Sequence, residues 1–284
     1  MQRVIVSNAS APAGPAGGHL PPRWLLAVVG LALAALVGGG IWFLRAQERH
    51  LKQGAEDELL SIARLKADQI VQWRNQRLGD VAVLAQNPFF LDGVRRWLVA
   101  PRPADAVPIL GWFRSLQAHY LYSDVLLVDP MGQVRLSLGG RRAILHAEAA
   151  EALASALRDG QALLTDLHEG PEGLPPHLDA IAPIFTAEGR PLGGLILRTD
   201  ASIFLYPLIQ SWPVPSRTAE SLLVRRDGQE VLYLNQLRHR AGTALQLRFP
   251  LSRTDIPAVL AVLGKEGLVR GADYRQVPVL AALR

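Results

Sequence analysis

The chain has 284 residues, with 30 Lys+Arg against 25 Asp+Glu and a formal net charge of +5. Its basic residues are scattered rather than massed in a stripe, which argues against nucleic acid as the main partner. It contains no cysteine, so disulfides, thiolate catalysis and Cys-ligated zinc are excluded.

Residues 1–22 are rich in Pro, Gly and Ala and are predicted to be a disordered tail. The run from Trp24 to Leu44 then carries no charge and is fenced by Arg23 and Arg45. As a helix it would be about 31 Å long, matching a bilayer core of roughly 30 Å. A cleavable signal peptide would have a shorter apolar core and a small-x-small end; this run closes on Ile41-Trp42-Phe43-Leu44, so the sequence predicts an uncleaved transmembrane helix over residues 23–45. Flanking charge does not fix its orientation. Arg3 and Arg23 precede the run and Arg45, Arg49 and Lys52 follow it, which taken alone favours a cytoplasmic C-terminal side, yet long following domains translocate regardless.

Residues 46–86 contain no proline, and Leu59, Ile62, Ile70, Trp73, Val81 and Leu84 fall on one helical face, which predicts a long helix continuing out of the membrane. That stripe packs on its own domain, with or without an added dimer contact. Asn87-Pro88 stops the helix. Shorter helices are predicted at 89–99 and 107–120. Strands at 124–128 and 133–138 flank the turn Asp129-Pro130-Met131-Gly132. A helix over 148–158 and strands at 177–185 and 194–199 complete an α+β module.

A second pass through the same order follows: a helical connector at 203–212, strands at 222–224 and 231–234 around Asp227-Gly228, a helix at 255–263, and strands at 267–274 and 277–283. Leu126-Leu127-Val128 with Gly132-Gln133 aligns with Leu222-Leu223-Val224 and Gly228-Gln229 at a constant offset of 96 residues. Two tandem modules of one fold are therefore expected, the second cut short at Arg284, before its counterpart of the strand at 194–199.

Several stretches are similar to the double Cache (PAS-like) sensory region of bacterial transmembrane receptors, in particular of sensor histidine kinases. These are Tyr122-Ser123-Asp124-Val125-Leu126-Leu127-Val128-Asp129, His177-Leu178-Asp179-Ala180-Ile181-Ala182-Pro183, residues 212–220 from Trp212 to Glu220, Leu237-Arg238-His239 and Asp273-Tyr274-Arg275. The resemblance implies that residues 46–284 face the periplasm from the inner membrane. It further implies a partner membrane helix and an output region beyond the sequence; the repeat sets a distal module at 87–200 and an incomplete proximal one at 201–284, and the long helix projecting from the membrane is expected to pair as a homodimer.

Enzyme signatures are absent: the sequence holds no P-loop, H-E-x-x-H, G-x-S-x-G or G-x-G-x-x-G. The seven His never fall at metal-ligand spacing with a carboxylate, so neither a metal nor a cofactor is expected. Binding is better supported. Period two puts His177 and Asp179 on one strand face with Ile181, and Arg135 with Ser137 on another; such residues meet water, form an ion pair or line a pocket. Trp112, Arg114, Tyr120, Tyr122 and Asp124 cluster in sequence where a helix enters the sheet, as core or as ligand contacts. The resemblance adds that Cache modules bind small ligands between the sheet and a covering helix or loop.

The expected function is extracytoplasmic small-ligand sensing for a histidine kinase. The same sensor feeding a diguanylate cyclase or chemoreceptor is one alternative. Another is a membrane-tethered hydrolase, which requires Asp124 and Asp179 in one cleft with unlike environments.

Overall fold

The computed structural model describes residues 23–139, 145–170 and 175–284; the tail expected at 1–22 lies outside them. The chain divides into two compact units, one ending at Ala55 and the other running from Glu56 to Arg284. Helix α1 (Arg23–Gln86) supplies residues to both.

In the first unit the apolar residues of α1 are exposed among the described residues, Leu31 and Leu36 by about three-quarters. An 18-residue window there has a mean hydropathy of 2.3 with none of it buried. By length and composition it suits a membrane span.

In the second unit the predicted stripe of α1 is the face that packs: Ile62, Trp73, Val81 and Leu84 are buried. Asn87 ends α1 and caps α2 (Pro88–Val99), its side-chain oxygen accepting from the N–H of Phe90 at 3.2 Å. Pro at the first position of α2 costs no hydrogen bond, because that N–H has no helical partner. Helix α3 (Pro103–Tyr120) follows and ends at Leu121 in the left-handed region.

Five antiparallel strands come next in the chain: β1 (Asp124–Val128), β2 (Val134–Ser137), then, after helix α4 (Ala147–Asp159), β3 (Leu163–Leu164), β4 (His177–Phe185) and β5 (Pro191–Asp200). Their order across the sheet is β2-β1-β5-β4-β3. Both faces are covered. Val125 and Leu127, with Ala180, Ala182, Ile184, Leu195 and Leu197, pack against α1, α2 and α3, while Leu126, Ile181 and Ile196 pack against Ala149, Leu153 and Ala156 of α4. Alternate residues of one strand serve opposite cores, so the sheet is fixed in register from both sides.

The connector α5 (Leu205–Gln210) leads to β6 (Val224–Asp227), β7 (Glu230–Tyr233) and β8 (Arg248–Pro250), a three-stranded sheet in that order. Helix α6 (Pro257–Val262) and the hairpin of β9 (Gly267–Ala272) with β10 (Pro278–Leu283) complete the chain. Strand β6 was expected at 222–224 but runs through to Asp227, where it pairs with Glu230. Gly228, with a φ of 59°, makes a two-residue turn that keeps the strands paired to their ends. The short strands β3 and β8 carry no period long enough to read.

Three of the stretches that carried the family likeness meet here. Glu220 accepts from the Arg238 backbone N–H and, at 3.0 Å, from the Tyr274 hydroxyl, while Arg238 donates to the carbonyls of Ser216 and Ala219.

Lys66 of α1 is buried and its ammonium donates to the carbonyls of Leu208, Ile209 and Ser211 at the C-terminal end of α5. These are carbonyls the helix itself leaves unpaired, and burial pulls the Lys66 pKa down. Lys66→Met is expected to destabilise the fold by about 1.5–3 kcal/mol, measured by chemical denaturation. An exposed substitution such as Lys52→Met should change stability by less than about 0.5 kcal/mol.

Candidate ligand site

The face of the sheet covered by α4 changes character toward one end. Beyond the apolar row of Leu126, Ile196 and Ile181 comes a polar one: Asp124 on β1 lies opposite Arg198 on β5, and Arg198 lies opposite Asp179 on β4. Neighbouring strands are about 4.8 Å apart, so one guanidinium stands between two carboxylates. Asp179 is fully buried and Arg198 nearly so. The pair is bidentate, Nε donating to Oδ1 at 2.9 Å and Nη2 to Oδ2 at 3.0 Å. That planar match is what makes a buried arginine–carboxylate pair tolerable. Thr165, just after β3, extends the row: its hydroxyl accepts from the Asp179 N–H at 2.9 Å.

Asp124 is satisfied differently. Its Oδ1 accepts from the N–H groups of Val125, Leu138 and Gly139. Burial raises its pKa, and those N–H donors and Arg198 oppose the rise.

The next row holds imidazoles. His177 of β4 bridges to His168, their ring centroids 4.3 Å apart. His146, the residue at the N-cap of α4, brings a third ring to 5.3 Å from His177 and 5.9 Å from His168. His168 Nδ1 bonds the Asp166 carbonyl at 2.9 Å and His177 Nδ1 bonds the Pro175 carbonyl at 3.2 Å. Among the described residues the Nε2 atoms of all three histidines are buried without a hydrogen-bond partner, and those of His168 and His177 each lie 3.9 Å from Asp179 Oδ2.

Burial holds the His177 imidazole neutral, drawing its pKa from 6.5 down to about 4; nearby Asp179 opposes this and Arg198 reinforces it. In the unfolded chain the ring takes up a proton near 6.5, in the folded one only near 4. Stability is therefore fully present above pH 6.5 and is lost as pH falls from there toward 4, by up to about 3 kcal/mol from this group. Denaturation midpoints measured across that window should fall with pH in the wild type and fall less in His177→Gln.

Of the nine residues singled out in the sequence, Asp124, His177 and Asp179 meet in this site. Ser137, opposite Leu126 on the edge strand β2, shares their face. Trp112, Arg114 and Tyr120 lie on α3, against the other side of the sheet, and are exposed; Trp112 meets Phe90 edge-on. Tyr122 is buried, with its hydroxyl donating to Asp80 of α1 at 2.6 Å and the Arg77 guanidinium over its ring; it fastens α1 to the sheet. Arg135 is exposed and pairs with Asp129 at 3.4 Å. Arg198, His168, His146 and Thr165 were not singled out. Period two places Arg198 on the face of Ile196, and that was the signal available.

An open cleft of about 310 Å³ lies elsewhere, between α1 and the segment after β5, lined by Gln69, Trp73, Gln76, Tyr120 and Phe204 among others. Its glutamines are exposed, and it has no buried carboxylate or imidazole. The polar row is the stronger site. The hydrolase alternative needs both carboxylates facing one cleft; here Arg198 stands between Asp124 and Asp179 in the sheet register and engages the Asp179 carboxylate bidentately.

Comparison with protein-family models gives no match, and neither does comparison with curated protein sequences. Solved structures do match. The ligand-binding domain of the Pseudomonas aeruginosa PAO1 amino acid chemoreceptor PctC, in complex with GABA, is 18% identical, with 76% of this chain and 88% of that chain covered and a TM-score of 0.51. The ligand-binding domain of the Pseudomonas fluorescens chemoreceptor CtaA with L-serine is 12% identical over 69% of this chain and 77% of that one, at a TM-score of 0.48. The sensor domain of the Vibrio cholerae histidine kinase DctB is 16% identical over 58% and 61%, at 0.46. The first of these carries the comparison: the chain has the α+β fold of a receptor ligand-binding domain, the Cache-type fold that its sequence motifs imply.

Proposed function

We propose that the chain is the small-ligand-sensing region of a bacterial sensor histidine kinase. It is anchored in the inner membrane by residues 23–45, with residues 46–284 in the periplasm, and the ligand is held in the 87–200 module. The observation that carries this reading is the polar row of half-buried Asp124 with buried Arg198 and Asp179, backed by three imidazoles whose Nε2 atoms have no hydrogen-bond partner among the described residues, at one end of an otherwise apolar face. Stability alone would favour an apolar row there, since a buried ion pair rarely outperforms well-packed hydrophobic residues; convergent buried polar groups are what a ligand pocket needs. Residues 201–284 form a second module, and α1 supports pairing with a second copy through exposed Leu51 and Leu65, two heptads apart.

Transmission follows from where α1 is fastened. Asp80 holds Tyr122 beside the sheet and Lys66 holds the connector α5, so a ligand that shifts the sheet biases the position of α1. The size of the signal is limited by the ligand's differential affinity for the two arrangements. The same sensor feeding a chemoreceptor or cyclase is a second reading, because fold does not determine output.

A reporter that is active only outside the cytoplasm, fused after residue 60, tests the placement. Activity is expected; activity of a cytoplasm-only reporter at that position would contradict the sensor reading.

A further inference from the structure

We infer that His146, His168 and His177, with Asp179, form a binding site for a divalent transition cation of the zinc class. The inference rests on the reading that this cluster is the ligand site, and it names the class of ligand.

The first argument is the tautomer. Backbone carbonyls can only accept, so Nδ1 of His168 and of His177 must donate to Asp166 and Pro175. In the neutral ring this leaves Nε2 as a lone pair. A metal-binding histidine is prepared in the same way, with its other ring nitrogen donating to a carbonyl or carboxylate that fixes tautomer and orientation.

The second argument is convergence. His168 and His177 are 4% and 2% exposed, and among the described residues their Nε2 atoms and that of half-buried His146 have no hydrogen-bond partner. Buried polar atoms in folded proteins are rarely left unpaired. One ligand atom from each of His168, His177 and Asp179 lies within 4.8 Å of the others. Bound at about 2.0–2.1 Å from one tetrahedral ion, such atoms stand roughly 3.4 Å apart, so a movement on the order of 1 Å brings these three together, and the His146 ring, 5.3 Å from that of His177 between centroids, stands beside them as the fourth ligand.

Arg198 does not block this. It takes one lone pair from each Asp179 oxygen, and a carboxylate has about four lone-pair positions. The oxygen facing both imidazoles, Oδ2, therefore keeps one for the cation while the guanidinium orients the group from outside.

Ligand chemistry decides the class. Calcium and magnesium demand oxygen ligands. Imidazole nitrogens with a single carboxylate and no thiolate select Zn²⁺, Cu²⁺ or Ni²⁺.

The test uses the full chain in detergent micelles, purified on a tag without histidine and stripped with a chelator. Zn²⁺ is titrated against a chromophoric chelator, and Co²⁺ is titrated to read the visible absorption of a four-coordinate site. One equivalent should bind, and Zn²⁺ should raise the thermal midpoint. His177→Gln, and separately the less buried His146→Gln, should each weaken binding by at least about 10–100-fold, the loss that even an outer-shell partner of a metal ligand carries, with an unchanged circular dichroism spectrum. His239→Gln, exposed in the second module, should bind as the wild type does. A wild type that takes up no Zn²⁺ or Co²⁺, or folded His146→Gln and His168→Gln variants that bind normally, would overturn the inference. Amino acids, dicarboxylates and amines screened on the same preparation separate the two readings. If one of them raises the midpoint while metal does not bind, the sensor reading stands and the metal site falls; if neither acts, both fall.

Discussion

Arg198→Ala should cost about 3–5 kcal/mol in denaturation of the full chain, the largest effect expected of any single charged residue. Asp179 is fully buried, and removing the guanidinium leaves its carboxylate with neither counter-charge nor water. The loss belongs to the orphaned charge rather than to the pair, and a double variant shows which. Arg198→Met with Asp179→Leu removes both charges and fills similar volume, so it should recover most of the stability. Arg135→Ala breaks a longer ion pair, 3.4 Å to Asp129, whose arginine is well exposed; its cost should stay below about 1 kcal/mol. Equal losses for Arg198→Ala and Arg135→Ala would show that the row is solvated.

Gly193→Ala is the second large effect, of about 3 kcal/mol or more. Gly193 has a φ of +143°, and a Cβ there would lie 2.0 Å from the Val128 carbonyl oxygen and 3.1 Å from the Asp129 Cα. Both neighbours are backbone, so relief requires parting β1 from β5 where Val128 pairs with Gly194. That pairing sets the register of the Asp124–Arg198 row as well. Gly189 is the control, since its φ of +79° is also left-handed but a Cβ would meet nothing within 4 Å. Gly189→Ala should cost only the local conformational strain, about 1–2 kcal/mol. Matching losses for the two would show that the close approach of β1 at Gly193 contributes nothing.

The architecture was legible wherever a period ran long enough. The stripe from Ile62 to Leu84 announced α1, and Leu126-Leu127-Val128 and the strand from His177 announced β1 and β4. Period two alone placed His177 and Asp179 on the face of Ile181, where the structure has them. The site was half legible for the same reason. Asp179 showed itself because its strand alternates around it, whereas Arg198 follows an apolar run in its strand that is buried on both faces and hides the alternation. The histidine cluster could not be read from spacing: His146, His168 and His177 come from the N-cap of a helix, a loop and a strand, brought together by sheet pairing. Tyr122 was visible as an aromatic beside the sheet, but nothing in its neighbours announced that Asp80, 42 residues earlier, takes its hydroxyl. The offset of 96 residues found the two turn glycines, Gly132 and Gly228, both at positive φ. It misplaced β6, because the second turn is tighter than the first.

The most direct test of a ligand site on the α4-covered face is thermal unfolding of the full chain in micelles. The wild type and the Arg198→Met, Asp179→Leu double variant are screened side by side against amino acids, dicarboxylates, amines and Zn²⁺. At saturation near 100 times its dissociation constant a bound ligand adds about 2.7 kcal/mol, which is readily seen as a raised midpoint. At least one compound should stabilise the wild type and leave the folded double variant unmoved; a compound that stabilises both equally, or a wild type that responds to none, would contradict the account.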